Sequence, residues 1–200
     1  MNFFRNFGSS GSNADDQQPR YTKAHQMRQQ WAQENARINA YLRQATMQNN
    51  GDPVPVLLNE LTGSDAALAA EALSQIALDL RDTERGSEIA RVVVLRLNEE
   101  LNAPRVGGRY VQFLVEVLGK LADPNGIDVA QAVLRRAPDR AARRSAAWAL
   151  GQIGGDDAAL ALAFGLDDRD GDVRGTVLHT LQHMENATAE RVVASWRSGQ

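Results

Sequence analysis

Apolar residues along the first quarter of the chain recur at helical spacing. From Tyr21 to about Gln48 no glycine or proline interrupts the sequence. Apolar positions return there at intervals of three, four and seven, which places them on one stripe of a helix. They are Ala24, Met27, Trp31, Ile38, Leu42 and Ala45. The pattern predicts a single amphipathic helix that ends at the sequence NNGDP of residues 49–53.

Beyond residue 51 the chain shows short helical patterns separated by Gly, Asp and Pro. No run alternates apolar and polar residues with the β-branched enrichment that is typical of strands. We therefore predict only helices and turns. The predicted helices cover residues 54–62, 65–80, 86–101, 108–122, 127–137, 139–153, 157–166, 172–184 and 187–197.

The second half of the chain repeats itself. Five positions recur after 31 residues: Ala142, Arg143, Ala146, Leu150 and Ile153 align with Val173, Arg174, Val177, Leu181 and Met184. Upstream, Leu118, Gly119 and Leu121 precede Leu150, Gly151 and Ile153 by 32 residues. The repeated apolar positions form a narrow helical stripe that one hairpin alone leaves uncovered, whereas stacked hairpins bury it. The repeat predicts an all-α, right-handed α-solenoid of about four or five helical hairpins.

At these residues the chain resembles the HEAT-repeat family, in particular its short type, the PBS-lyase HEAT-like repeat. The segment ARRSAAWALGQIG of residues 142–154 is similar to the first helix of that repeat, and Asp172 to Arg174 with Leu181 is similar in part. The resemblance covers roughly residues 108–198. Earlier, residues 72–76 look like the same helix end but lie 45 residues before their counterpart at Leu118. We therefore expect the upstream repeats to be degenerate or to contain an insertion.

The predicted organisation has three parts. Residues 1–19 are rich in Gly, Ser, Asn, Asp and Gln, and predict a flexible leader. Residues 20–50 form the amphipathic helix, and residues 51–200 form the HEAT-like α-solenoid. The resemblance implies a non-catalytic scaffold or adaptor in a larger complex. It leaves two alternatives: a lyase-like subunit that assists chromophore attachment to a client protein, and a HEAT-like DNA-binding or repair protein.

The composition of the chain excludes several kinds of site and argues against the nucleic-acid-binding alternative. The chain has no cysteine, which excludes disulfides, thiolate metal sites and a cysteine nucleophile. Its net charge is -3, and residues 51–200 alone carry -6 against +3 for residues 1–50, which argues against a nucleic-acid-binding solenoid. Motifs of hydrolases, P-loop proteins and metalloproteases are missing from the sequence, so we expect no enzyme activity and no cofactor. No apolar run is long enough for a signal peptide or a membrane span, so we expect a cytoplasmic protein.

Two clusters have the spacing of metal ligands. His179 and His183 are four residues apart, as two imidazoles on one helix face would be, but no third ligand accompanies them. Asp168, Asp170 and Asp172 alternate like the start of a calcium loop, although the rest of that loop is missing. We predict no metal site. The histidines are expected to lie in solvent, and the aspartates to cap a helix and to pair with arginines of adjacent repeats.

Candidate contact residues lie in three places. Phe3, Phe4 and Phe7 form one apolar face if helical, for docking to a protein or, alternatively, for contact with a membrane surface. Trp31 and Trp148 are candidate hot spots, although Trp148 could instead pack on a neighbouring helix. The second helix of each hairpin supplies the remaining candidates: Asp128, Gln131, Arg135, Arg136, Glu190, Arg191 and Arg197. The arginines predict a partner protein with an acidic or mixed-charge segment.

Overall fold

The computed structural model describes the backbone of residues 18–103 and 108–199, with side chains from residue 23 onward. Every regular element in the described part of the chain is a helix, and the predicted helices are found with small shifts of their ends. They are α1 Gln18–Gln48, α2 Val54–Glu60, α3 Ala66–Ile76, α4 Glu84–Asn102, α5 Gly108–Leu121, α6 Ile127–Arg136, α7 Arg140–Ile153, α8 Gly155–Ala163, α9 Gly171–His183 and α10 Ala187–Ser198. Short 3-10 turns follow α3 at Ala77–Leu80 and precede α6 at Pro124–Gly126.

The described residues divide into two compact units, and the boundary lies between Ala40 and Tyr41 inside α1. In the first unit, the predicted stripe is largely exposed: Met27 is 60% and Trp31 is 72% accessible to solvent. Phe3, Phe4 and Phe7 lie outside the described residues, as does most of the predicted leader.

In the second unit, successive helices alternate between two layers. The first layer contains α3, α5, α7 and α9, and each packs on the next in that order. The second layer contains α4, α6, α8 and α10, which also pack in order. The layers are joined where α4 packs on α5, α6 on α7, and α10 on α9. This is the all-α solenoid that the repeat predicts.

Local sequence sets where these helices begin. The side chains of Asp139, Asp170 and Asn186 accept hydrogen bonds from backbone N–H groups in the first turns of α7, α9 and α10. Such N-caps each contribute about 1 kcal/mol to helix stability. Between α7 and α8, Gly154 and Gly155 adopt positive φ angles of 75° and 83°, a conformation that side chains disfavour and that reverses the chain sharply.

The repeated apolar positions form the core. Leu118, Leu150 and Leu181 occupy equivalent places in α5, α7 and α9, and each is at most 1% exposed. Burying one such leucine contributes about 1.5–3 kcal/mol, so the row is a main source of stability for the stack. A Cβ at Gly119 would lie 2.8 Å from the Cα of Ala149, which shows how closely α5 approaches α7.

The irregular spacing upstream has a structural explanation. Residues 72–76 lie at the end of α3, which packs on α5 as one first-layer helix on the next. The second-layer helix between them, α4, has 19 residues, whereas the corresponding α6 has 10. The longer α4 and the 3-10 turn after α3 take up most of the additional length.

Candidate functional site

The exposed side of the second layer carries an apolar ridge on α8. Leu160 and Phe164 are four residues apart and therefore lie on the same side of the helix. They are 53% and 55% exposed, while Ala158, Ala159 and Leu162 on the opposite side are fully buried. Side chains this large and this exposed, adjacent on one helix, are typical of interaction surfaces. We call Leu160 and Phe164 the α8 ridge.

Grooves flank the ridge on both sides. Between α6 and α8, a groove of about 480 Å³ is lined by Asp128 and Gln131 on one wall and by Asp157, Leu160 and Phe164 on the other. Between α8 and α10, a groove of about 660 Å³ is lined by eight residues besides Leu160: Asp156, Ala163, Leu166, Thr188, Arg191, Val192, Ser195 and Trp196. Leu160 therefore lines both grooves. The indole Nε1 of Trp196 donates a hydrogen bond of 3.3 Å to Asp167, which holds the ring at the end of its groove.

The α6–α8 groove continues into a polar pocket at the other end of the two helices. This pocket, of about 340 Å³, shares Phe164 with the groove and is lined besides by Leu134, Arg135, Arg136, Ala137, Arg143, Asp167, Asp168 and Arg169. The start of α6 thus lies beside the start of α8, and the end of α6 lies beside the end of α8. The two helices therefore run parallel, as repeated units of a solenoid do.

The arginines of this surface are partly engaged within the protein. The guanidinium of Arg135 lies over the Phe164 ring, 4.7 Å from its centroid, a cation–π arrangement. Arg136 donates to the carbonyl oxygen of Leu101 at 3.0 Å, and so links α6 to the end of α4. Arg191 donates to the Thr188 hydroxyl at 2.9 Å.

A buried ion pair lies beneath the polar pocket. Arg143 and Asp168, whose side chains are 4% and 8% exposed, form a bidentate pair with N–O distances of 2.8 and 3.0 Å. Arg143 also donates to the carbonyl oxygens of Ala137 and Pro138, each at 3.0 Å. One guanidinium therefore fixes the loop before α7 to the loop before α9.

The ion pair also lowers the pKa of the Asp168 carboxyl group. Burial by itself would raise the pKa of this carboxyl group. The hydrogen bonds from Arg143 and from the backbone N–H of Asp170, with the charges of Arg143 and Arg169, outweigh burial and lower the pKa below its usual value.

The structure places the remaining predicted contact residues at separate points. The ring of Trp148 is half-buried and lies against Gly119 of α5, so it packs between first-layer helices. Glu190 and Arg197 are exposed near the two ends of α10, and Trp31 is exposed on α1. The structure therefore brings together Asp128, Gln131, Arg135 and Arg136 along α6, beside the α8 ridge, and puts Arg191 on the far groove.

Sequence reasoning missed the α8 ridge itself. Every residue from Ala158 to Phe164 is apolar, so the periodicity of this run cannot distinguish an exposed leucine from a buried one. The one available signal was the four-residue spacing of Leu160 and Phe164. Trp196 of α10 was not among the predicted contact residues, yet it lines the groove between α8 and α10.

The two clusters with metal-ligand spacing have structural contacts. The His179 and His183 rings are exposed with centroids 4.0 Å apart, and Nδ1 of His183 donates to the His179 carbonyl oxygen at 2.7 Å. Asp168 pairs with Arg143, and Asp170 caps α9 as predicted. In the described part of the chain, no group of three or more His, Asp or Glu side chains could hold a metal ion.

Comparison with known proteins identifies the repeat. Residues 110–191, from the first turn of α5 into α10, match the family model of HEAT repeats. This part of the chain therefore consists of HEAT repeats, and the predicted family is confirmed; the PBS-lyase type of the repeat stays a prediction. No curated protein matches the chain. HEAT repeats generally mediate protein–protein interaction. Among the described residues, no helix is both long enough and apolar enough to cross a membrane.

Proposed function

We propose that this protein is a non-catalytic interaction module, a scaffold or adaptor, whose α8 ridge and adjoining grooves hold a partner protein. The observation that carries the proposal is the exposure of Leu160 and Phe164 between grooves of 480 and 660 Å³. A large apolar anchor beside a concave surface is the usual arrangement of a binding hot spot. The HEAT repeats that build this surface support the same reading.

The shifted pKa values of Tyr110 and Asp52 arise from contacts within the fold. Burial raises the pKa of Tyr110 to about 12, and its hydroxyl donates to the carbonyl oxygen of Leu61 at 2.7 Å. Asp52 has a lowered pKa, first because Arg85 donates a hydrogen bond to its carboxylate. Both groups hold neighbouring segments together, and neither lines the grooves beside the α8 ridge.

The test compares the proteins that co-purify with three forms of the chain in its native cell. The first is the wild type, and the second is the double variant Leu160→Asp with Phe164→Asp. The third is a matched control, Leu78→Asp, because Leu78 is 59% exposed but lies in the 3-10 turn after α3. Surface substitutions of this kind usually change stability by about 0.5 kcal/mol or less, which thermal unfolding checks.

We expect a set of proteins that the wild type and the Leu78→Asp control both retain and that the ridge variant loses. Recovery of the same proteins with all three forms would refute the ridge as the binding surface. A bound tetrapyrrole or a coloured client among the retained proteins would instead favour the lyase-like alternative.

A further inference from the structure

The two ends of the α6–α8 groove carry opposite charges. Asp128 and Asp157 line one end, and both are exposed. No described residue forms an ion pair with either carboxylate. Each carboxylate lies in the first turn of its helix, where the positive end of the helix dipole stabilises its charge. Because α6 and α8 run parallel, the two negative charges lie at the same end of the groove, and neither is paired with a cation of the described residues.

The opposite end of the same groove is cationic. Arg135, Arg136 and Arg169 line the pocket there, together with Asp167. The remaining carboxylate of the pocket, Asp168, is neutralised by Arg143 beneath it. The groove thus has two carboxylates at one end and an excess of arginine at the other, with Leu160, Ala161 and Phe164 between them.

From this arrangement we infer that the α6–α8 groove binds an amphipathic helix of a partner protein, antiparallel to α6 and α8. The inference rests on the proposed function and names the partner's chemistry. The partner's apolar side packs on the α8 ridge. Its basic C-terminal turn meets Asp128 and Asp157, and its acidic N-terminal turn meets the arginines.

Three physical reasons favour a helix in this direction. A groove between two parallel helices accepts a third helix, since helices pack at about 8–10 Å. Helices generally carry acidic residues in the first turn and basic residues in the last, so an antiparallel helix presents the complementary charge at both ends. The residues that line the groove on α6 span about nine positions, or roughly 13 Å, so a partner helix of about three turns covers it.

Two synthetic peptides of identical composition test the charge order. Each has about 14 residues and leucines at helical spacing. The ordered peptide has Glu in its first turn and Lys in its last, whereas the mixed peptide alternates Glu and Lys at both ends. Calorimetric titration into the full chain measures the two affinities. We expect the ordered peptide to bind at least about tenfold more tightly, because each of several rim charges contributes modestly. Equal affinities, or no binding of the ordered peptide, would overturn the inference.

A charge reversal in the protein sharpens the result. Asp157→Lys is expected to weaken binding of the ordered peptide by about tenfold and to leave the mixed peptide nearly unchanged. Asp79→Lys is the matched control, because Asp79 is also exposed and the net charge changes equally, but it lies outside the grooves. An equal effect of both variants would mean that only net charge matters, and would overturn the inference.

Direction is tested by a nitroxide label on a cysteine at one end of the ordered peptide. A label at the peptide's C-terminus should broaden the amide NMR signals of residues 125–128, and a label at its N-terminus those of residues 135–137. The reverse result would overturn the antiparallel arrangement. If co-purification depends on the α8 ridge while both peptides bind equally, the proposed function stands and the charge-ordered helix is refuted.

Discussion

Helices α7 and α9 follow the same sequence template, yet the same position has a different role in each. Arg143 of α7 is 3% exposed and pairs with Asp168. Its equivalent in α9, Arg174, is exposed and donates to the backbone carbonyl oxygen of Asp168, at 2.7 Å. Arg143 therefore makes the predicted ion pair with an aspartate, whereas Arg174 bonds a backbone group. Thirty-one residues after Asp168 the chain has Gly199, which offers no carboxylate.

Glycines show the same contrast. Gly119 of α5 and Gly151 of α7 occupy equivalent positions, and a Cβ at Gly151 would collide with the Thr180 side chain of α9. The equivalent residue in α9 is Gln182, which is exposed. Among the described residues, α7 has a first-layer neighbour on each side, α5 and α9, whereas α9 has one first-layer neighbour, α7. The next helix of the layer, rather than the repeat sequence, therefore decides which positions must be small or buried.

The largest expected effect comes from removing the buried arginine. Arg143→Ala should lower the free energy of unfolding by about 3–5 kcal/mol, because it leaves Asp168 charged and buried without its partner. Arg174→Ala should cost at most about 1 kcal/mol, since its partner is an exposed carbonyl. Urea unfolding followed by circular dichroism measures both. Similar losses of stability for the two variants would show that Arg143 and Arg174 have the same role.

A smaller loss is expected where first-layer helices touch. A methyl group at Gly119 would lie 2.6 Å from the Trp148 ring and 2.8 Å from the Ala149 Cα, so α5 and α7 must separate. Gly119→Ala should therefore destabilise the protein by about 1–3 kcal/mol through overpacking, offset by less than about 1 kcal/mol of helix propensity. Thermal unfolding checks the direction. An unchanged or raised melting temperature would show that the contact is looser than the structure indicates.

The next effect depends on pH. Asp168 has a lower pKa in the folded protein than its ordinary value of 3.8. Its contribution to stability is thus present in full above that ordinary value and is lost as the pH falls through the folded value. The stability difference between the wild type and Asp168→Asn should accordingly shrink below about pH 4. Urea unfolding between about pH 7 and pH 3 measures this difference; a constant difference would contradict the ion pair.

The smallest effect is a gain in stability. Gly175 lies within α9, and a Cβ there would meet no atom within 4 Å. Gly175→Ala should raise the free energy of unfolding by about 0.5–1 kcal/mol, because alanine favours the helix and restricts the unfolded chain. The same substitution, Gly to Ala, is thus expected to destabilise the protein in α5 at Gly119 and to stabilise it in α9 at Gly175. A loss of stability at Gly175 would indicate an additional contact on this face of α9.

The sequence by itself determined the helices, their caps and the repeat. These follow from spacing within a few residues, such as Asp170 before α9 or the leucines at 118, 150 and 181, and such patterns are local. It also placed Asp128, Gln131, Arg135 and Arg136 on the second helix of a hairpin, because that helix can be recognised from the repeat register; the first two line the α6–α8 groove and the other two the adjoining pocket.

Which apolar residues remain exposed to solvent depends on the tertiary structure. Leu160 and Leu162 are alike in the sequence, yet one is 53% exposed and the other fully buried. Burial at these positions depends on α6 and α10, whose residues lie about 30 positions away in either direction. The same holds for Arg143, whose role depends on a carboxylate 25 residues later. Local periodicity determines which residues share one face of a helix. Whether that face is buried depends on segments that are distant in the sequence.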